Sequence, residues 1–476
     1  MKKISVFLFA LTLLGTGAFA APSVEKPSGV QLTVYNQNFA LIKEVRGLTL
    51  DKGINFVSVP DVAATIQPDT VAIKSLLSPN AFVVREQNYQ YDLINPATIL
   101  NKSIGKRVLV RRFNGGTFQV AEGTLLSSEG GVVIQTADGV LLNPSGEIQV
   151  LELPGGLVSR PTLVWKLESA KSGAGRAEIS YLANQITWKA DYVAVIDAKD
   201  ERVDITGWVT LSNNSGATYE NASLNLMAGD VNRISGNRYR DGAVGAVFSS
   251  ASMKAEPQFA EKSLFEYHLY TLKDKTTVKN RETKQISLLA ASDVPVQKQF
   301  IYDGRKGWWG PWRIASYRPG ESYDASTNKK VNVFVELMNS KQNNLGMPLP
   351  KGIVRVYKSE EGSNQHFIGE DSIDHTPKDE KIRLYLGDAF DIVGEHARIN
   401  FRRIDTRTVE ETFRITLRNH KDSPVTVTAI EHLVSDWSIT QSSHKYYKKD
   451  ASTVEIPVTI PKDGEVQITY TARTHW

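Results

Sequence analysis

Apolar residues in this chain recur at every second position, in short runs about ten residues apart, divided by Gly, Pro, Asn and Asp. Examples are Val30–Tyr35, Asn55–Val59, Val108–Phe113, Val132–Thr136, Asp204–Leu211, Val331–Leu337, Val354–Tyr357, Lys381–Leu386, Thr412–Arg418, Val425–Glu431 and Val466–Ala472. A period of two places alternate side chains on opposite faces of a strand, so each run buries one face and wets the other. Long windows with helical spacing are nearly absent. One short helix is expected at Pro96–Lys102, where Asn95 caps the first turn and Pro96 occupies the position whose N–H has no partner. Short strands without helical crossovers predict an all-β fold: multidomain antiparallel β-sandwiches, Ig-like, with an inserted small SH3-like or Sm-like barrel.

The composition shifts set the boundaries. Residues 24–93 read as an N-terminal β unit. Residues 96–153 read as the small barrel, with tight turns at Asn114-Gly115-Gly116, Glu129-Gly130-Gly131 and Asp138-Gly139. Residues 161–327 read as a central sandwich carrying a polar, Gly/Ala/Ser-rich loop at 235–262 that is expected to be mobile. Residues 328–476 read as a C-terminal, Ig-like sandwich.

The first twenty residues have a different character. Lys2 and Lys3 precede the uncharged run Ile4–Leu14, and Gly15-Thr16-Gly17 lead into Ala18-Phe19-Ala20. This is the pattern of a secretory signal peptide cut before Ala21. The run is shorter than the roughly 20 apolar residues that span a bilayer, and no other run of spanning length follows. The formal charge of +4 includes Lys2 and Lys3, so the remainder is near balance and has no general attraction to nucleic acid. There is no cysteine, which excludes disulfides, thiolate nucleophiles and Cys-ligated metal. An exported, cysteine-free chain of this kind is expected in the bacterial envelope, periplasmic or extracellular.

Particular strings strengthen that expectation. They are Val34-Tyr35-Asn36-Gln37-Asn38-Phe39-Ala40-Leu41-Ile42, Trp188-Lys189-Ala190-Asp191-Tyr192 and Asn221-Ala222-Ser223-Leu224-Asn225-Leu226-Met227-Ala228-Gly229. To these add Phe265-Glu266-Tyr267-His268, Lys284-Gln285 and Ile368-Gly369-Glu370-Asp371-Ser372-Ile373-Asp374-His375-Thr376-Pro377. Together they resemble a family of exported bacterial proteins defined mainly by a C-terminal domain of unknown function, which also occurs in mucoidy-inhibitor-type proteins. The chain lacks the long coiled coil of the latter, and the barrel-like block takes its place. The resemblance implies export and a β architecture; it brings no activity and no catalytic residues.

Two stretches are candidate sites. In Gly304–Arg313, Trp308, Trp309 and Trp312 bring three of the eight tryptophans together, between Arg305 and Arg313. Indole faces stack on sugars and on cations, and the arginines suit anionic groups of a glycan. The same indoles also suit a seam between two sandwiches. In Glu370–Glu380, Asp371, Asp374 and His375 have the donor chemistry of a divalent-metal site, but the spacing fits no known metal loop and equally suits a polar hairpin turn. The eight histidines are scattered, and no nucleophile elbow, P-loop, dinucleotide or zinc-protease motif occurs. The chain end alternates from Val466 to Trp476, as outer-membrane barrels do, yet Lys and Glu interrupt most strands. The reading that results is a non-enzymatic structural or binding protein of the cell envelope, with no cofactor, no nucleic-acid partner and no transmembrane segment after the leader. Its partner would be an envelope glycan or an envelope protein. A carbohydrate-active enzyme drawing two carboxylates from distant strands is the alternative.

Overall fold

The computed structural model describes residues 23–114, 116–233, 258–305, 328–360 and 364–476. Among the described residues strands take 66% and helix 3%, so the period-two pattern translates into an all-β architecture of several sheets. The segment 1–20, expected to be a leader, lies outside the described residues, as does most of the loop expected at 235–262. The part of that loop inside them is ordered: Phe259–Leu264 is a strand paired antiparallel with Tyr267–Leu272.

Two compact units divide the described residues. One takes those up to Trp188 with Leu211–Met227 and Asp274–Lys284; the other takes those of Lys189–Thr210, Ala228–Lys273 and Gln285–Trp476. In the first unit, Phe39–Leu50 pairs along its whole length with Gly173–Asn184 and on its other edge with Gly29–Tyr35. Thr162–Ser169 lies between Gly53–Pro60 and Phe82–Gln90 in a second, three-stranded sheet. Residues 24–93 therefore share both sheets with strands beyond Pro161. The chain between Phe82–Gln90 and Thr162–Ser169 forms a block of its own. Its helix runs Pro96–Asn101, with the Asn95 side chain accepting the Thr98 N–H, as expected. Its five strands are antiparallel in the order Gly139–Leu142, Val133–Thr136, Thr117–Ser127, Arg107–Asn114, Glu147–Val150. Val108, Val110, Leu125 and Ile134 form a separate core cluster there, with Leu100 of the helix against it.

The second unit is organised by one long run of strands. The order is Gln365–Ile373, Gly352–Ser359, residues 189–196 of the strand Ile186–Ile196, residues 202–210 of Arg202–Asn213, residues 285–303 of Glu282–Asp303, then Lys330–Met338 and Lys381–Arg403. The run returns on itself. The Tyr385 N–H donates to Asp371 Oδ2 at 2.7 Å, and a Cβ on Gly369 would lie 2.8 Å from the Leu386 carbonyl oxygen. First and last strands thus meet in a ring, and Asp371 supplies the acceptor that a ladder carbonyl would otherwise provide. Tyr192, Ala194, Ile196, Val335, Leu337, Val354, Val356 and Leu384 are buried on these strands. One parallel pair, Ala190–Ile196 with Gly352–Lys358, closes tightly. A Cβ on Gly352 would sit 2.2 Å from the Ala190 carbonyl oxygen. Gly352→Ala is therefore expected to cost about 1–3 kcal/mol, read as a lower urea midpoint; an unchanged midpoint would show that the two strands can separate freely.

Beyond Ile392 the strand Lys381–Arg403 leaves the ring and pairs with Thr408–Asn419, which is followed by Gly464–His475 and Asp436–Ser442. A second set joins Phe300–Asp303, Val425–His432 and Thr453–Ile460. Phe413, Ile415 and Tyr470 from the first set and Val427, Ala429 and Ile456 from the second share one core. The alternating chain end is thus a middle strand of a two-layered core.

Candidate functional site

The ring strands line a half-open cavity of about 310 Å³. Ile196, Val333, Val335, Ile368 and Leu386 give it an aliphatic wall, and Lys298, Lys358, Asp200 and Asp388 line it as well. Asp200 stands in the turn after Ile186–Ile196, in the left-handed conformation that Asp tolerates, at φ 63°. Its carboxylate accepts from Lys358 Nζ at 2.5 Å and from Lys298 Nζ at 2.9 Å. Lys358 also donates to the carbonyl oxygens of Asp197 and Ala198. Burial alone would raise the Asp200 carboxyl, yet the hydrogen bonds from Lys358 and then Lys298 outweigh it and hold the group below the usual carboxylate range. Asp388 behaves alike. Burial pushes it up, but Lys330, Tyr385 and Asn332, each hydrogen-bonded to it, bring it down. Both carboxylates are therefore fixed as anions, each already paired. That suits recognition by charge and shape, and it leaves neither carboxylate poised to exchange a proton near neutral pH.

A second polar group lies inside the C-terminal core. Glu431, 2% exposed, accepts the Tyr470 hydroxyl at 2.6 Å, and His396 Nε2 lies 2.9 Å from its other oxygen. Burial would raise the Glu431 carboxyl; the neighbouring His396 and Arg305, with Tyr470, reverse the sign and lower it. Asp303 holds His432 at 3.1 Å and accepts the Arg305 backbone N–H.

Of the five candidate side chains in the tryptophan-rich stretch, Arg305 alone falls among the described residues. It is 8% exposed, its guanidinium 4.8 Å from the Phe413 ring centroid, and it donates to the His432 carbonyl oxygen. Its charge is spent inside the core and not offered to solvent. Trp308, Trp309, Trp312 and Arg313 lie outside the described residues.

Asp371, Asp374 and His375 do not converge. Asp371 lies on a strand and accepts the N–H groups of Ser372 and Tyr385. Asp374 offers its backbone oxygen to the Thr376 hydroxyl, and His375 Nδ1 accepts the Lys351 N–H at 3.2 Å. Burial, then Lys351, lowers the His375 pKa. Among the described residues no three His, Asp or Glu side chains are placed to hold a metal. His268 sits on a strand, 2.7 Å from Glu261, the hydrogen-bonded sheet histidine that its alternating surroundings suggest.

The cavity and the buried group escaped the motif reading because neither forms a motif. Their signal is parity. Lys358 continues the inward set Val354 and Val356, and Glu431 continues Val425, Val427 and Ala429. An ionisable side chain on the apolar parity must find a buried partner. No family model matches the chain, and no curated protein matches it either.

Proposed function

We propose that this is a non-enzymatic structural or binding protein of the bacterial cell envelope, exported by the leader at 1–20, cut before Ala21, and periplasmic or extracellular. Its partner on this reading is an envelope glycan or envelope protein. The observation that carries the binding role is the ring cavity, an aliphatic wall with ionised groups that are already paired and so fit recognition better than turnover. The resemblance to exported proteins with a C-terminal domain of unknown function points the same way. On this reading the block at 96–153 is a small SH3-like or Sm-like barrel, 24–93 and 161–327 supply the β units around it, and 328–476 is an Ig-like sandwich. Trp308, Trp309 and Trp312 are the stacking residues of a glycan contact.

Chemical crosslinking in intact cells, followed by identification of what copurifies, tests this. An envelope protein or glycan is expected, and Trp308→Ala/Trp309→Ala is expected to reduce glycan capture. Recovery of cytoplasmic proteins alone would reject the envelope role. Release of sugar from an envelope polymer, abolished by changing one acidic side chain, would replace binding with carbohydrate chemistry.

A further inference from the structure

The ring cavity has a chemical preference that the paired charges alone do not explain. Its wall is branched aliphatic: Ile196 and Val335 are buried, and Leu386 and Ile368 continue the surface outward. A volume of about 310 Å³ is the liquid share of about ten waters, room for an aliphatic chain of about ten carbons. Each carboxylate lining it is covered. Asp200 lies between two ammonium groups, and Asp388 accepts from Lys330, Asn332 and Tyr385. The two lysines differ. Lys358 gives its three donors to Asp200 and two backbone oxygens. Lys298 gives one hydrogen bond to Asp200 and keeps about a third of its side chain exposed at the cavity. An ammonium group carries three N–H donors, so Lys298 has capacity for another anionic acceptor.

We propose that the ring cavity binds a medium-length aliphatic carboxylate, the acyl body against Ile196, Val335 and Leu386 and the carboxylate on Lys298. This rests on the reading of the ring as a binding site and names its ligand class.

The test is calorimetric titration of the purified chain with decanoate, decanol and decylammonium, each below its micellar concentration. Decanoate is expected to bind saturably at one site, about tenfold or more tighter than decanol, the discrimination of a charge-assisted hydrogen bond. Lys298→Met is expected to erase that preference while decanol binding persists. Ile368→Trp, which fills the mouth from a partly exposed position, is expected to abolish both; circular dichroism checks that each variant is folded. Tighter binding of decylammonium, or equal decanoate binding by Lys298→Met, would overturn the carboxylate assignment. No saturable binding of any of the three would overturn the acyl site, yet leave partner capture in cells as a separate result.

Discussion

Replacing Glu431 with alanine is expected to remove about 3–5 kcal/mol of stability at neutral pH, the cost of stranding buried charge without its counterpart. Glu431 is 2% exposed, and His396, Tyr470 and Arg305 are all arranged around it. Truncation leaves His396 and Arg305 deep in the core and the Tyr470 hydroxyl without its acceptor. Glu431→Gln keeps the shape and an acceptor for Tyr470 but removes the charge, so its loss should be smaller. The pH dependence follows from the same group. Its folded carboxyl titrates below the ordinary value of 4.5. The stabilisation is therefore complete above that value and is lost as pH falls through the lower, folded one. Urea unfolding of the three proteins from neutral pH downward checks this. The unsubstituted chain should lose stability on the acid side, and Glu431→Gln should begin lower and fall less. An alanine variant within about 1 kcal/mol of the parent, an ordinary surface effect, would mean that Glu431 is not holding the cluster.

Strand parity made much of this architecture legible. The alternation in Val425–Glu431 or Thr412–Arg418 fixes both the strand and its buried face, because a shift by one residue would turn every apolar side chain to water. The helix at Pro96 was equally plain, since Asn95 and Pro96 satisfy the start of a helix by local chemistry alone. Pairing partners were not legible. Nothing in Phe39–Leu50 names Gly173–Asn184, because the hydrophobic pattern specifies a face and not the strand across from it. The same applies to the ring, whose closure depends on Asp371 meeting the Tyr385 N–H. In the sequence Asp371 belongs to an acidic string that reads as turn or metal donor; its actual partner lies on another strand. The buried charges were legible in principle. Glu44 and Arg46 sit on the parity of Ile42 and Leu48 and pair at 2.7 Å, with Tyr181 donating to Glu44. Reading parity residue by residue, and not motif by motif, finds all of them.

Trp165→Ala should produce a loss of similar size by a different route. Trp165 is fully buried on Thr162–Ser169, flanked by buried Leu163 and Leu167, and its indole N–H donates to Gln87 Oε1 at 2.9 Å. Truncation opens a large cavity and leaves the Gln87 oxygen without its donor, at a cost of about 3–5 kcal/mol. Trp165→Phe fills most of the space and should cost less, keeping the hydrogen-bond loss and a small residual cavity. The effect should also be local. Thr162–Ser169 is the middle strand of its sheet, so amides on Gly53–Pro60 and Phe82–Gln90 lose protection with it. The five-stranded block inserted between those strands has its own core of Val108, Val110, Leu125 and Ile134, which Trp165 does not join. Hydrogen exchange should therefore show the three-stranded sheet opening while the paired amides of Arg107–Asn114 and Thr117–Ser127 stay protected. Equal acceleration of both sets would mean that the block depends on the surrounding sheets for its stability and is not an independently folding insertion.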